Sequence, residues 1–180
     1  KELAAQINEA GYQFSSANSI NIGRLVPQIV YYVYAYGQLL KQGEISCGEK
    51  INVVVPTGNF GNILAAYYAK NMGIPINTLY CASNENKVLF DFFNTGKYDR
   101  KREFILTTSP SMDILISSNL ERLIYRIAGE DAAKTKELMD ALVSEGEYSI
   151  TSEMRERLED FIGGYASEEE TRAAIKRLYD

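Results

Sequence analysis

The run Ile51-Asn52-Val53-Val54-Val55 is short, apolar and β-branched, and it leads directly into Pro56-Thr57-Gly58-Asn59-Phe60-Gly61-Asn62. After this loop, Phe60, Ile63, Leu64 and Tyr67 recur at helical spacing. A strand that turns through glycines into a helix is an anion cradle. The first N–H groups of a helix lack intrahelical acceptors, and the helix dipole favours negative charge there. Glycine lets the backbone approach an anion without a Cβ in the way. The unit therefore predicts a phosphate-holding loop, with an ordinary strand-to-helix turn as the alternative.

The rest of the chain narrows the context. Its 180 residues, 46% hydrophobic and 24% charged, predict one α/β domain over residues 1–180 with a proper core. A net charge of −5 argues against nucleic acid as a partner. No apolar run is long enough to span a bilayer, since Pro27, Gln28, Gly37 and Gln38 interrupt Leu25 to Leu40. No membrane partner is expected. Cys47 and Cys81 give no metal spacing, so free thiols and a reducing, cytoplasmic setting are expected. There is no histidine, which removes Ser-His and Cys-His nucleophile pairs and histidine-ligated metals. Enzymatic chemistry here needs lysine, carboxylate or a cofactor. The chain opens at Lys1 without a methionine, inside an expected helix, and stops at Asp180 directly after another. A piece of a longer protein is the expectation.

In chain order, helices are predicted over Lys1 to Ala10 and from Asn21 through Leu40. Asn21 caps the second, and Ile22, Leu25, Val26, Ile29, Val33, Tyr36 and Leu40 form its apolar face. Tyr12 to Phe14 reads as a short strand. A central βαβ unit follows: strand Ile51 to Val55, the loop, a helix to about Met72, and a parallel strand Ile76 to Cys81. Ser83 to Asn86 reads as the cap of a helix through Phe93. Tyr98 to Arg102 reads as an exposed basic turn and Phe104 to Leu106 as a short strand. Capping boxes are expected at Ser118/Glu121 and Ser167/Glu170. Helices are expected from Ala132 to Ser144 and from Ser152 to Ile162, the latter stopped by Gly163-Gly164, with an extended piece at Tyr148 to Ile150. The second half thus reads as mostly helix. In such α/β layers ligands sit at the carboxyl ends of the strands, where the glycine loop lies.

Other phosphate loops fit poorly. A Walker loop ends Gly-Lys-Ser/Thr, and this one ends Gly61-Asn62-Ile63. A dinucleotide fingerprint needs three glycines and an acid at the end of the second strand, which here reads Tyr80-Cys81-Ala82. A phosphate held by backbone amides and asparagine side chains remains. By themselves, Asn18, Ser19 and Asn21 read as helix-cap residues and Arg24 as a solvated surface charge.

Four segments together resemble threonine synthase. They are Ser16-Ala17-Asn18-Ser19-Ile20-Asn21-Ile22-Gly23-Arg24-Leu25-Val26-Pro27-Gln28-Ile29-Val30-Tyr31-Tyr32, Val55 to Ile63 with Ala65 to Lys70 beyond it, Ser109 to Leu115, and Ser118 to Arg122. The family is pyridoxal-phosphate-dependent, has the tryptophan-synthase-β-like fold, and converts O-phosphohomoserine and water to threonine and phosphate. The resemblance implies that Gly58, Asn59, Phe60, Gly61 and Asn62 wrap the phosphate of pyridoxal 5'-phosphate, mainly through backbone N–H groups. It implies that Asn18, Ser19 and Arg24 contact the substrate's phosphate, for which a guanidinium fork is suited. The family's cofactor-anchoring lysine sits in a Phe-Lys-Asp setting that is absent here, and none of Lys41, Lys50, Lys70, Lys87 or Lys97 has such a context. Its Pro-His-Thr-type segment is absent too. The resemblance therefore implies a middle part of the enzyme, its large cofactor-phosphate domain. No catalytic residue or metal ligand is expected in this chain, and the missing parts of the same enzyme are its partners. Another β-family lyase of the same cofactor, or a stand-alone phosphate-ligand sensor, are the alternatives.

Overall fold

A computed structural model describes residues 2–13, 18 and 20–179. The β-branched run forms strand β1 (Ile51–Pro56), and the glycine loop hands it to α4 (Gly61–Asn71). Strand β2 (Ile76–Ser83) returns parallel to β1, with Val55 opposite Cys81 and Pro56 opposite Ala82. Helix α4 stops at Met72, and Gly73 follows with φ +107°, a backbone conformation that glycine adopts without strain.

Before this unit come α1 (Glu2–Glu9), a single turn α2 (Ile22–Leu25), a 3₁₀ turn at Val26–Gln28, and α3 (Ile29–Gln42). Asn21 caps α2 as expected, its Oδ1 accepting from Gly23 N at 2.9 Å. Pro27 is the reason that one expected helix becomes a turn followed by a helix, because proline has no N–H to donate. The apolar stripe differs accordingly. Leu25 and Tyr36 are buried and Ile29 and Tyr32 half-buried, whereas Ile22, Val26 and Val33 face solvent.

After β2 come α5 (Val88–Thr95), β3 (Lys97–Asp99), α6 (Leu120–Ile127), α7 (Ala132–Ser144), β4 (Glu147–Ser149), α8 (Ser152–Glu156), β5 (Phe161–Tyr165) and α9 (Glu168–Tyr179). Strand β5 pairs parallel with β2, giving a three-stranded sheet in the order β1-β2-β5. Strands β3 and β4 form a separate antiparallel pair. The second half is therefore helix-rich, as expected, with the short strands β3, β4 and β5 among its helices.

Several local expectations are corrected. The helix expected over Ser152 to Ile162 ends at Glu156, and Gly163-Gly164 lies inside β5. A Cβ on Gly163 would sit 3.1 Å from the Phe90 Cα and 3.3 Å from the Phe93 Cβ, so this glycine marks close helix-to-strand packing. Tyr98 to Arg102 is not an exposed turn. Tyr98 stacks on Tyr148 with ring centroids 5.3 Å apart and is only 1% exposed, while Arg102 pairs with Asp91 at 2.6 Å. Phe104 to Leu106 pairs with no strand; the Ile105 N–H and C=O are both satisfied by the Asn86 side chain, at 2.9 and 2.7 Å. Ser83 to Asn86 supplies no side-chain cap to α5. Asn84 and Asn86 instead donate to Asp113 Oδ1, at 2.6 and 3.0 Å. The Ser118/Glu121 box does not form, since Asn119 is the residue that precedes α6 and Ser118 Oγ is buried without a partner. The Ser167/Glu170 box forms as expected, with Ser167 N donating to Glu170 Oε2 and Glu170 N to Ser167 Oγ. Residues 12 and 13 are not in a strand, and Phe14 lies outside the described residues.

The core sits on one face of the sheet. Phe60, Ile63, Leu64 and Ala66, at the start and middle of α4, join Leu79 and Cys81 of β2, Phe92 of α5, Phe161 of β5, and Leu123, Ile124 and Ile127 of α6. Ala65, Ala66 and Ala69 are fully buried, and these small residues let α4 run through the interior between its neighbours. The glycine loop thus stands on the most buried helix of the molecule.

Candidate functional site

The loop is fixed from both flanks. Thr57 N donates to Ala82 O at 2.8 Å, prolonging the β1–β2 ladder by one bond, and Thr57 Oγ1 donates to Val55 O at 2.7 Å. Gly58 follows in a place no other residue fits, because a Cβ there would lie 2.5 Å from the Ser111 carbonyl oxygen. The next three carbonyls are each engaged. Gly58 O accepts from Ser117 Oγ at 2.9 Å. Asn59 O accepts from both the backbone N and the Nδ2 of Asn119, at 3.1 and 2.8 Å. Phe60 O accepts the first bond of α4, from Leu64 N.

Phe60 has φ +64°, the left-handed region that a bulky side chain seldom adopts. Its ring is 1% exposed and lies 6.0 Å from Phe93 and 5.8 Å from Phe161, centroid to centroid. Core packing therefore holds a backbone turn that costs of order 1 kcal/mol or more on its own. The turn aims the start of α4 at the cleft above the strand ends. The N–H groups of the first helical turn have no intrahelical acceptor and meet that cleft with the positive end of the helix dipole.

The opposite wall comes from the segment before α3. Asn18 Oδ1 accepts from Ile20 N at 3.0 Å, and Asn21 N donates to Asn18 O at 3.1 Å, which folds this stretch into a compact turn ahead of α2. Arg24 is exposed on α2. Asn62 stitches the two walls together. The Tyr32 hydroxyl donates to Asn62 Oδ1 and, at 3.1 Å, to Asn62 O, while Asn62 Nδ2 donates to Gln28 Oε1 at 3.1 Å. Gln28 in turn donates to Arg24 O at 2.9 Å. Burial pushes the Tyr32 phenol up to about 12, so it stays a donor throughout the physiological range.

Between the walls is a cleft of about 510 Å³. It is lined by Asn18, Arg24, Gln28, Thr57, Ser111 and the whole run from Gly58 to Asn62. Among the described residues no acidic residue and no lysine lines it, in a chain whose net charge is −5. Donors of this kind, amides and a guanidinium without a carboxylate, suit an oxyanion and no cation. Among the described residues no cluster of His, Cys, Asp or Glu is arranged to hold a metal.

The structure brings seven of the eight sequence-predicted site residues to this cleft: Asn18, Arg24 and Gly58 to Asn62. Ser19 lies outside the described residues. The Phe60 side chain and the Asn62 amide are engaged structurally, so their share of the cradle is the backbone. Sequence reasoning missed Gln28 and Tyr32, which lie outside the apolar stripe read there, and Ser117 and Asn119, which flank the expected cap residue Ser118. It left the role of Ser109 to Asp113 open; Ser111 lines the cleft and closes over Gly58.

No family model matches the chain. Similar proteins are found by sequence and by structure. Threonine synthase-like 1 of Homo sapiens is 52% identical over 174 residues, which is 96% of this chain and 23% of that protein. The crystal structure of pyridoxal-phosphate-bound threonine synthase from Brucella melitensis superposes with a TM-score of 0.84 at 41% identity, over 91% of this chain and 34% of that one. The crystal structure of yeast threonine synthase gives 0.85 at 38% identity, over 95% and 35%. The chain thus spans about a quarter to a third of the length of the proteins it matches. Its α/β architecture, with a parallel sheet, is theirs.

Proposed function

We propose that this chain, whose sequence and fold match a segment of the threonine synthases, is the phosphate-binding part of a pyridoxal-phosphate enzyme of the tryptophan-synthase-β-like fold, which converts O-phosphohomoserine and water to threonine and phosphate. The observation that supports this reading is one cleft, without an acid among its described lining residues, that has the glycine loop on one side and Asn18 with Arg24 on the other. The reaction needs two phosphates held near each other, one on the cofactor and one on the substrate.

In this reading the amides of Gly58 to Asn62 hold the cofactor's phosphate, and the buried Phe60 ring keeps them in place before any ligand arrives. Such preorganised dipoles cost no rearrangement when the anion binds. Arg24 and Asn18, with Ser19, hold the substrate's phosphate. Arg24 presents paired N–H groups to phosphate oxygens. Tyr32 and Gln28 set the spacing of the two walls through Asn62. Pyridoxal phosphate, when bound, supplies the electron sink that lets the phosphate ester leave. The lysine that anchors it comes from a further part of the same enzyme, since among the described residues no lysine lines the cleft. Lys70, on α4, pairs with Asp160 at 2.5 Å at the far end of that helix.

The test has two parts. Residues 1–180 alone, given pyridoxal phosphate and O-phosphohomoserine, are expected to release no threonine or phosphate; turnover by this piece would sink the division of labour. In the full polypeptide, Arg24→Ala should raise KM for O-phosphohomoserine at least about tenfold, the loss expected for a charge-assisted contact. A non-phosphorylated substrate analogue should be much less affected. Equal losses on both would favour a β-family lyase whose substrate carries no phosphate.

A further inference from the structure

Arg122, on α6, lines a separate groove with Tyr125, Thr135 and Met139, and it does not line the cleft. Its guanidinium nevertheless reaches both walls of the cleft from behind. Nη2 donates to Ile20 O at 2.8 Å, in the middle of the Asn18–Asn21 turn. Nη1 donates to Asn119 Oδ1. Asn119 is fully buried, and its Nδ2 and backbone N both donate to Asn59 O, in the glycine loop. A continuous path of hydrogen bonds therefore runs from Ile20 through Arg122 and Asn119 to Asn59, and it joins residues 102 positions apart in the chain.

We propose that Arg122 is a positioning residue that couples the two phosphate subsites, setting the Asn18–Arg24 wall at a fixed distance from the Gly58–Asn62 wall. The inference rests on the reading of the cleft given above. Its physical basis is the shape of the side chain. A guanidinium is a rigid fork that serves two acceptors in two directions at once, whereas an ammonium is a single point. Asn119 is buried, so its amide cannot turn to water for replacement partners. Removing the fork breaks its bond to Ile20 O on one wall and its bond to Asn119 Oδ1 under the other at once. Both walls then relax, although Arg122 touches neither phosphate.

The coupling separates Arg122 from residues that act on one subsite. Arg24→Ala should weaken the phosphorylated substrate alone, and a change in the glycine loop should weaken the cofactor alone. Arg122→Gln, in the full polypeptide, should weaken both. We expect a pyridoxal-phosphate dissociation constant raised about tenfold, read by absorbance titration of the apoprotein. KM for O-phosphohomoserine should rise by about the same factor, as for one lost hydrogen bond to a charged group, with a smaller change in kcat. Arg122→Lys should fail to restore either value, although it keeps the charge and serves if the glutamine variant does not fold. In the double variant, Arg24→Ala should cost less than it does in the wild type, because the wall carrying it has already shifted. Glu121→Gln, the exposed neighbour on α6, should leave both values unchanged. A wild-type protein that binds neither ligand overturns the cleft reading and the coupling with it. A wild-type protein that binds both, with Arg122→Gln changing one value only, or with Arg122→Lys restoring both, overturns the coupling alone.

Discussion

Two residues are held by sharply defined local geometry, Gly58 in the glycine loop and Asp113 after the segment that covers it. Gly58 is the closer constraint, with the Ser111 carbonyl oxygen 2.5 Å from where a Cβ would stand. That atom belongs to backbone and cannot rotate away. Gly58→Ala is therefore expected to destabilise the protein by about 1–3 kcal/mol, as overpacking does, and, on the proposed reading of the loop, to abolish phosphate binding there. Urea denaturation and a cofactor titration check both effects, and an alanine variant that binds normally would refute the close approach. Asp113 is the second. It accepts from Asn84 Nδ2, Asn86 Nδ2 and Thr107 Oγ1 through one oxygen and from Thr107 N through the other. Partial burial raises its pKa, but the hydrogen bonds from Thr107, Asn84 and Asn86 outweigh that and lower it below the usual aspartate value. The folded state thus releases this proton more readily than the unfolded chain does. The stabilisation is complete above the ordinary carboxylate range and is lost as pH falls through the depressed folded value. Asp113→Asn should be less stable than wild type at pH 7, because an amide points donors at donors. It should also lose part of the wild type's decline between pH 5 and pH 3. Chemical denaturation at several pH values decides this; identical acid limbs would remove Asp113 from the account.

At the scale of elements, the informative pair is Gly163 and Gly164 in β5. They are adjacent in sequence and face opposite sides of the sheet. A Cβ on Gly163 meets Phe90 at 3.1 and 3.2 Å and Phe93 at 3.3 Å, whereas a Cβ on Gly164 has nothing within 4 Å. Gly163→Ala should push α5 from the sheet and cost about 1–3 kcal/mol. Gly164→Ala should be neutral or slightly stabilising, since alanine lowers the entropy of the unfolded chain. Thermal melts of the two variants give the comparison, and equal losses would mean that the strand does not lie as described. The same contact explains why β5 is hard to see in sequence. Gly-Gly after an apolar run is the ordinary signature of a helix stop, and only the approach of Phe90 gives it another purpose. Asn84 and Asn86 teach a similar lesson. They look like helix caps, but their side chains satisfy the backbone at Ile105 and the carboxylate of Asp113, so a stretch that resembles a strand is held without any strand partner.

For the whole molecule, the described residues cover the parallel sheet on one face only. Val54, Tyr80 and Ile162 stand opposite one another across β1, β2 and β5 on the other face. Val54 is 66% and Ile162 47% exposed. Parallel sheets are nearly always covered on both faces, and an aligned apolar row in water favours association. Residues 1–180 expressed alone should bind a hydrophobic dye and self-associate. Val54→Thr with Ile162→Thr should reduce both while keeping strand propensity. Dye fluorescence and sedimentation measure this, and an undiminished signal in the double variant would place the sticky surface elsewhere.

Read alone, the sequence reveals the central βαβ unit, the glycine turn at its strand end, and, through four ordered resemblances, the eight residues to look for. Those features are local: a β-branched run, a glycine turn and a helical repeat follow one another within a few dozen residues, and each is stabilised by contacts close in the chain. How residues far apart meet is settled by the packed fold. Ser111 covers Gly58, Tyr32 and Gln28 hold Asn62, and Arg122 spans Ile20 and Asn119. A side chain's hydrogen-bond partner is set by which surfaces pack together, and no periodicity in the sequence records that. The same reason hid β3, β5 and the buried Tyr98–Tyr148 stack, where long-range packing overrode a polar or helix-ending local pattern.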